Sequence, residues 1–209
     1  MLAQPVRQAL DFGERPDPAR GIFETLLVAD GAAPLLAAQL ERLRASALEL
    51  YGIDLEPELA GLARTVPDGS GRLRISFVPG EGTASRPGPH GDDPRYAEIA
   101  PFVLAGGLGA HKWADRGLLE GLLVAAGPGA LPLLLDADGS VLESASANVL
   151  IEERGRLVSP PSDGRFRAGF GRARVRYSEE PVDLDRLLAA DAILLTSALR
   201  TVRVPRGAR

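Results

Sequence analysis

One lysine, Lys112, stands among 23 arginines in this 209-residue chain. Arginine can take over any position that needs only a solvated positive charge. It cannot replace a primary amine that must lose its proton and form a carbon–nitrogen double bond. The composition is rich in Ala, Gly, Pro and Arg, which suggests a coding bias that replaced every other lysine. Lys112 is therefore the leading candidate for a Schiff-base nucleophile, against the plain alternative of a leftover surface lysine. Other reactive types are scarce. There is no cysteine, which excludes disulfides, thiolate metal sites and cysteine nucleophiles. Two histidines, His90 and His111, are too few for a histidine-based metal site. The net charge is −4, and the arginines are interleaved with Asp and Glu, so a nucleic-acid partner is not expected.

The elements that must position these residues can be read from periodicity. Residues 21–28 (GIFETLLV) predict a buried strand. Asp30-Gly31 predicts a hairpin turn, with Pro34 to Leu36 pairing back. The three-four spacing of Leu40, Leu43, Ala47, Leu50 and Tyr51 predicts a helix over 37–51 that stops at Gly52. A second helix is expected over 57–64 and a half-buried strand over 72–78. The Gly/Pro-rich stretch 79–94 reads as a long loop, a functional lid or disordered. In it Arg86 and His90 are possible carboxylate ligands, the alternative being a solvated loop. A strand is expected near 96–104, a flexible connector over 105–111 and a helix over 113–126. Strands at 131–135, 140–143 and 147–153, a helix at 184–189 and a closing strand at 192–196 follow. The apolar stretch 117–135 is broken by Glu120, Pro128 and Pro132, so no membrane span is expected. With a polar, Pro-broken start, the default is a soluble cytoplasmic protein.

Several segments, in order, resemble the class IV aminotransferases, fold-type IV enzymes that use pyridoxal 5′-phosphate (PLP). GIFETL (21–26) resembles that family's first strand, and QLERL (39–43) its HxxRL helix, with Gln39 in place of the histidine. Lys112 falls where the Schiff-base lysine falls. DADGSVLESASANVLI (136–151) is similar to its DxxGxVxExxxxNxF segment, SPP (159–161) to its TPP turn, and ADAILLTSALRTVRVP (190–205) to its closing ADExFLTxSxxxVxPV motif. The resemblance implies an α+β fold of two small α/β domains, residues 1–104 and 112–209, joined by the connector 105–111, with PLP in the cleft between them. It also implies a homodimer and a small-molecule substrate.

The resemblance further implies a role for each matched residue. Lys112 would hold the PLP aldehyde and act as the catalytic amine. Glu143, with Asn148 at the family spacing, would keep the pyridine nitrogen protonated. Arg42 would bind the phosphate through its planar fork, aided by the hydroxyls of Thr196 and Ser197. Gly169 to Arg172 resembles the remnant of an LPGxxR element, with Phe170 and Gly171 at the phosphate, but the helix that should follow is short or missing. Thr25 and Arg116 fall on the substrate side. The run KWADRGLLE (112–120) is similar to the Lys-x-x-x-Arg pattern of 4-amino-4-deoxychorismate lyases, which eliminate pyruvate to give 4-aminobenzoate for folate synthesis. An amino acid aminotransferase of branched-chain or D-amino acid type and a non-catalytic binding homologue remain as alternatives.

Overall fold

The computed structural model describes residues 2–62, 66–91 and 93–205. Among these the strands and helices run β1 (Leu2–Ala3), β2 (Arg7–Gln8), β3 (Ile22–Val28), α1 (Leu36–Tyr51), α2 (Glu56–Leu62), β4 (Gly71–Val78), β5 (Gly82–Gly88), β6 (Glu98–Val103), α3 (Gly117–Ala126), β7 (Ala130–Leu135), β8 (Val141–Ser144), β9 (Asn148–Glu153), β10 (Arg156–Ser159), β11 (Ser178–Glu179), α4 (Leu184–Ala189), β12 (Ala192–Thr196) and β13 (Thr201–Pro205). The fold is α+β. The chain divides into two compact units, one of residues 16–92 with 111–115, the other of residues 1–15, 93–110 and 116–209.

The smaller unit is an antiparallel sheet in the order β3-β4-β5. Successive side chains in a strand point to opposite faces. Leu73, Ile75 and Phe77 of β4 accordingly turn one way and join Ile22, Leu26 and Val28 of β3 in a core closed by Leu40, Leu43 and Ala47 of α1. That is the stripe the helical periodicity predicted. The Asp30-Gly31 turn forms with φ of 50° and 74°, but only Ala32 pairs back, to Ala29, and Leu36 already starts α1. The expected return over Pro34 to Leu36 is therefore absent, because β3 takes β4 as its partner over its full length. The helix expected over 57–64 is present as Glu56–Leu62, and residues 63–65 lie outside those described.

Two further expectations fail in the segments 79–94 and 113–116. The stretch 79–94 is not one long loop, since residues 82–88 form β5 and pair with β4 from Val78↔Gly82 to Arg72↔Gly88. Pro87 and the flanking glycines suit β5 because it is an edge strand, where a missing N–H costs no ladder bond. The helix expected from residue 113 starts only at Gly117. Before it, Trp113 bridges Ile22, with the N–H of Phe23 donating to the Lys112 carbonyl and that of Ala114 to the Gly21 carbonyl, both at 2.9 Å. Residues 112–114 are thus extended along the free edge of β3.

The larger unit is one sheet of the order β1-β6-β7-β8-β9-β10-β11, with β12 joined to β9 and β13, and β2 to β6. Because β6 pairs in parallel with β7, residues 98–103 belong to this sheet, and β1 and β2 bring residues 1–15 with them. The two units therefore cut the chain differently from a division at the connector 105–111. The helix α3 buries Leu118, Leu119 and Leu122 against Phe102 and Leu134. Gly121 is required inside α3, since a Cβ there would lie 2.0 Å from the Phe12 carbonyl oxygen. A strand not expected from the sequence, β13, returns after the 197–200 turn to pair with β12.

One ion pair ties three loops of this unit. Arg165 Nη1 donates to Asp136 Oδ2 at 2.7 Å, while the backbone N–H groups of Gly106 and Ala137 donate to Oδ1 at 2.8 and 2.6 Å. The Arg165 guanidinium first, and these backbone donors next, hold the Asp136 carboxyl down to about 2. A carboxyl lowered in the folded state stabilises the fold above its unfolded pKa of about 4, and that stabilisation is lost as the pH falls toward 2. The melting temperature of Asp136→Asn should therefore fall less between pH 5 and pH 2 than that of the wild type. Parallel melting curves would show that Asp136 is not a source of the acid sensitivity.

Candidate active site

The amine that sequence composition singles out is held by backbone pairing. Lys112 lies opposite Phe23 in the extended segment beside β3, so its side chain shares the face of Phe23 and Thr25. Its Nζ donates to Thr25 Oγ1 at 3.3 Å and sits 4.6 Å from the centre of the Phe23 ring. The side chain is half-buried and Thr25 is buried. A hydroxyl partner and an aromatic wall hold the amine in place.

The neighbouring residues of β3 face the other way. Glu24 turns toward α1, where Arg42 grips it through Nε and Nη2 at 2.8 and 2.9 Å. Gln39 sits in the same layer and donates to the Thr25 carbonyl at 2.7 Å. Arg42 and Lys112 are thus on opposite faces of β3, and the fork expected at a phosphate is engaged by Glu24. The pair fastens α1 to the sheet. Arg42→Ala should cost about 3 kcal/mol of stability, because it leaves the buried Glu24 carboxylate without its guanidinium. Denaturant unfolding measures this. A loss well under 1 kcal/mol with weakened PLP binding would instead favour a phosphate role for Arg42.

The larger unit carries the other expected residues. The register places Glu143 of β8 opposite Asn148 of β9, and Asn148 opposite Thr196 of β12. A carboxylate, an amide and a hydroxyl therefore lie in one row across three strands. Asn148 Nδ2 donates to Glu143 Oε2 at 3.4 Å and to the Arg167 carbonyl at 2.9 Å, while its Oδ1 accepts from the Gly169 N–H at 2.5 Å. Asn148 thus orients Glu143 and pins the segment 167–169. That segment runs into a short 3-10 turn, Phe170–Arg174, where the resemblance would place a longer helix. Gly171 is needed here, since a Cβ would meet the Ser197 carbonyl oxygen at 2.3 Å.

The two hydroxyls at the end of β12 differ. Ser197 Oγ accepts from the N–H groups of Leu199 and Arg200, both at 3.2 Å, so it is spent on the turn. Thr196 Oγ1 is buried with no hydrogen-bond partner among the described residues. A buried hydroxyl left unpaired costs about 1–3 kcal/mol, so this atom is suited to a ligand. An acid beside a glycine-lined turn and an orphaned hydroxyl fit what PLP requires of its ring nitrogen and its phosphate. Arg116 donates through Nη2 to the Ala145 carbonyl at 2.7 Å and so braces the turn between β8 and β9. Two guanidiniums that did not stand out in the sequence, Arg72 and Arg74, lie on the same face of the smaller sheet as Thr25. Among 23 arginines the one signal for them is the alternation in RLRIS, residues 72–76.

A family model described as "Amino-transferase class IV" matches residues 125–205. Those residues carry the class IV aminotransferase signature. The fold of the whole chain agrees with it. A protein from Legionella pneumophila provisionally named 4-amino-4-deoxychorismate lyase superposes with a TM-score of 0.72 at 18% identity, over 98% of this chain and 90% of the other. A fold IV transaminase from Curtobacterium pusillum gives 0.70 at 21% identity, over 89% and 78%. A hypothetical aminotransferase from Mycobacterium tuberculosis, in its PLP-bound form, gives 0.69 at 23% identity, over 89% and 80%. These likenesses establish the fold-type IV architecture. No curated protein matches the chain.

Proposed function

We propose that this chain is a PLP-dependent enzyme in which Lys112 is the reacting amine, and that its reaction is that of a 4-amino-4-deoxychorismate lyase. The observation that carries the reading is the placement of the single lysine. Backbone pairing to β3 fixes Lys112, and its amine rests on the Thr25 hydroxyl and the Phe23 ring. The class IV signature and the provisional lyase name of the Legionella protein support the same reading. In it, Glu143 faces the pyridine nitrogen, held by Asn148. Phe170, Gly171 and the Thr196 hydroxyl receive the phosphate, with Ser197 shaping the turn that backs Gly171. Arg42 joins the phosphate site by resemblance alone. Thr25 and Arg116 lie toward the substrate, and a homodimer is expected as in the family.

Bound PLP supplies an electron sink for the pair released when a carbon–hydrogen bond breaks next to the substrate nitrogen. The residues of the chain move the proton. The Lys112 amine, displaced by the substrate's 4-amino group, removes the proton from the ring carbon that bears this nitrogen. The bond from the neighbouring ring carbon to the enolpyruvyl oxygen then breaks. The leaving group takes up one proton at its methylene and departs as pyruvate, and the ring becomes 4-aminobenzoate. Thr25 positions the amine through this sequence by its hydroxyl.

The test is an absorbance spectrum of the purified chain with added PLP, before and after borohydride, in wild type and Lys112→Ala. A visible band that borohydride fixes onto Lys112, and that the variant lacks, is expected. Pyruvate and 4-aminobenzoate should then form in equal amounts from 4-amino-4-deoxychorismate. Transfer of the amino group to a keto acid, without pyruvate, would mark an aminotransferase instead. Lack of a band, or a band unchanged in the variant, would overturn the enzyme reading in favour of a binding protein.

A further inference from the structure

The residue that precedes Lys112 is one of two histidines in the chain, and its side chain is 11% exposed. His111 Nδ1 shares a hydrogen bond of 3.1 Å with Ser46 Oγ, and Nε2 lies 3.6 Å from Glu49 Oε1. Ser46 and Glu49 are three residues apart, so they are neighbours on one face of α1. Arg42, four residues before Ser46, continues that row and grips Glu24 of β3. One side of α1 therefore fastens two extended segments, β3 through Glu24 and residues 111–113 through His111. Trp113 follows His111 on the same side of its segment. The two rings meet edge to face, with centres 5.6 Å apart and planes at 71°, and Trp113 packs on the core of the smaller unit.

Lys112 lies between these two anchors and points the other way. Its strip of contact with β3 is short. The Phe23 N–H donates to the Lys112 carbonyl and the Ala114 N–H to the Gly21 carbonyl, around the Trp113–Ile22 bridge. Each such bond adds little net stability, because the same groups bond to water when the strip opens. A slip of one residue would exchange the faces of Lys112 and its neighbours. The hydrogen bond to Ser46 opposes that slip, because the slipped segment would turn the imidazole away from α1.

We propose that His111 is a positioning residue for Lys112. Anchored on Ser46, it holds its segment in the register that sets the amine against Thr25 and the Phe23 ring. The imidazole lies on the opposite side of the segment from both, so it acts through the backbone of residues 111 and 112. The inference rests on the proposed function only in taking that amine to be the reacting one.

The single lysine makes the test direct, because lysine carrying 13C at Cε, supplied during expression, labels one side chain of the whole protein. In the full chain without PLP, the protons on that carbon should resonate upfield of free lysine, shifted by the Phe23 ring beneath the amine. His111→Ala should lose most of that shift. Ser46→Ala should lose it as well, and the double variant should add nothing further, since both changes remove one interaction. Alanine favours the helix at position 46, so Ser46→Ala stays folded even where His111→Ala does not, and melting temperatures check this. His111→Asn, whose amide can replace Nδ1 toward Ser46, should restore most of the shift. With PLP added, His111→Ala should weaken the borohydride-fixed band about fivefold, the equivalent of one hydrogen bond, and His111→Asn should recover it. An undisplaced lysine signal in the wild type, or folded His111→Ala and Ser46→Ala variants that keep the full shift, would overturn the proposal. A shift lost in these variants, in a protein that gives no PLP band, would uphold the positioning role while the enzyme reading fails.

Discussion

The short pairing between residues 112–114 and the edge of β3 is the constraint on which the smaller unit's chemistry depends. Two backbone hydrogen bonds, Phe23 to Lys112 and Ala114 to Gly21, bring a residue from far along the chain onto a strand near its start. Because strands alternate, that pairing also decides which face the amine occupies. A shift of one residue would turn Lys112 toward the α1 side, among Glu24, Gln39 and Arg42. There a carboxylate would hold the amine as a paired ammonium. On the actual face it meets a hydroxyl and an aromatic ring, and the arginines beside it are cations.

A comparable economy governs the larger unit. Asn148 uses both ends of one amide to serve two tasks. It donates to Glu143 and to the Arg167 carbonyl, and it accepts from the Gly169 N–H. The segment it pins carries Gly171, which packs on the backbone of Ser197 so closely that no side chain fits. The 3-10 turn that follows is held from below by Arg172, buried and bonded to Ser162 and Glu179. This turn has five residues, and its position comes from these side-chain bonds more than from helical propensity.

Much of the fold was legible because periodicity is local. The strand Ile22–Val28, the helix Leu36–Tyr51, the helix Leu184–Ala189 and the strand Ala192–Thr196 stand where their apolar spacing places them. What escaped were pairings that join distant segments. Residues 82–88 read as loop because Gly and Pro dominate them, yet an edge strand tolerates both. Residues 113–116 read as helix because WADR carries no breaker, yet the pairing of Trp113 with Ile22 outweighs propensity. Among site residues, the lone lysine and the Glu143–Asn148 spacing were visible in type and interval. The partner of Arg42 was not, since recognising Glu24 requires knowing which face of β3 looks at α1. The placement of Arg72, Arg74 and Arg86 on one sheet face was hidden for the same reason: Arg86 belongs to a strand that its composition conceals.

The distribution of cations follows from the different chemistry of the two side chains. Guanidinium groups in this protein act mostly as fixed forks that bind carboxylates between elements, as Arg165 does with Asp136 and Asp163 and Arg186 with Glu153 and Glu180. Such a group does not lose its proton at ordinary pH, and its planar geometry suits a structural bond. On β4 and β5, where Arg72, Arg74 and Arg86 form no ion pair with a described residue, the same geometry is presented on the sheet face away from α1. The proposed function needs one cation that can become neutral, Lys112. A chain biased toward arginine would tolerate that substitution at every structural or surface cation, but not at an amine that must lose its proton. That Lys112 and Arg74 rest on the same Phe23 ring places the one lysine of the chain beside a guanidinium that keeps its proton.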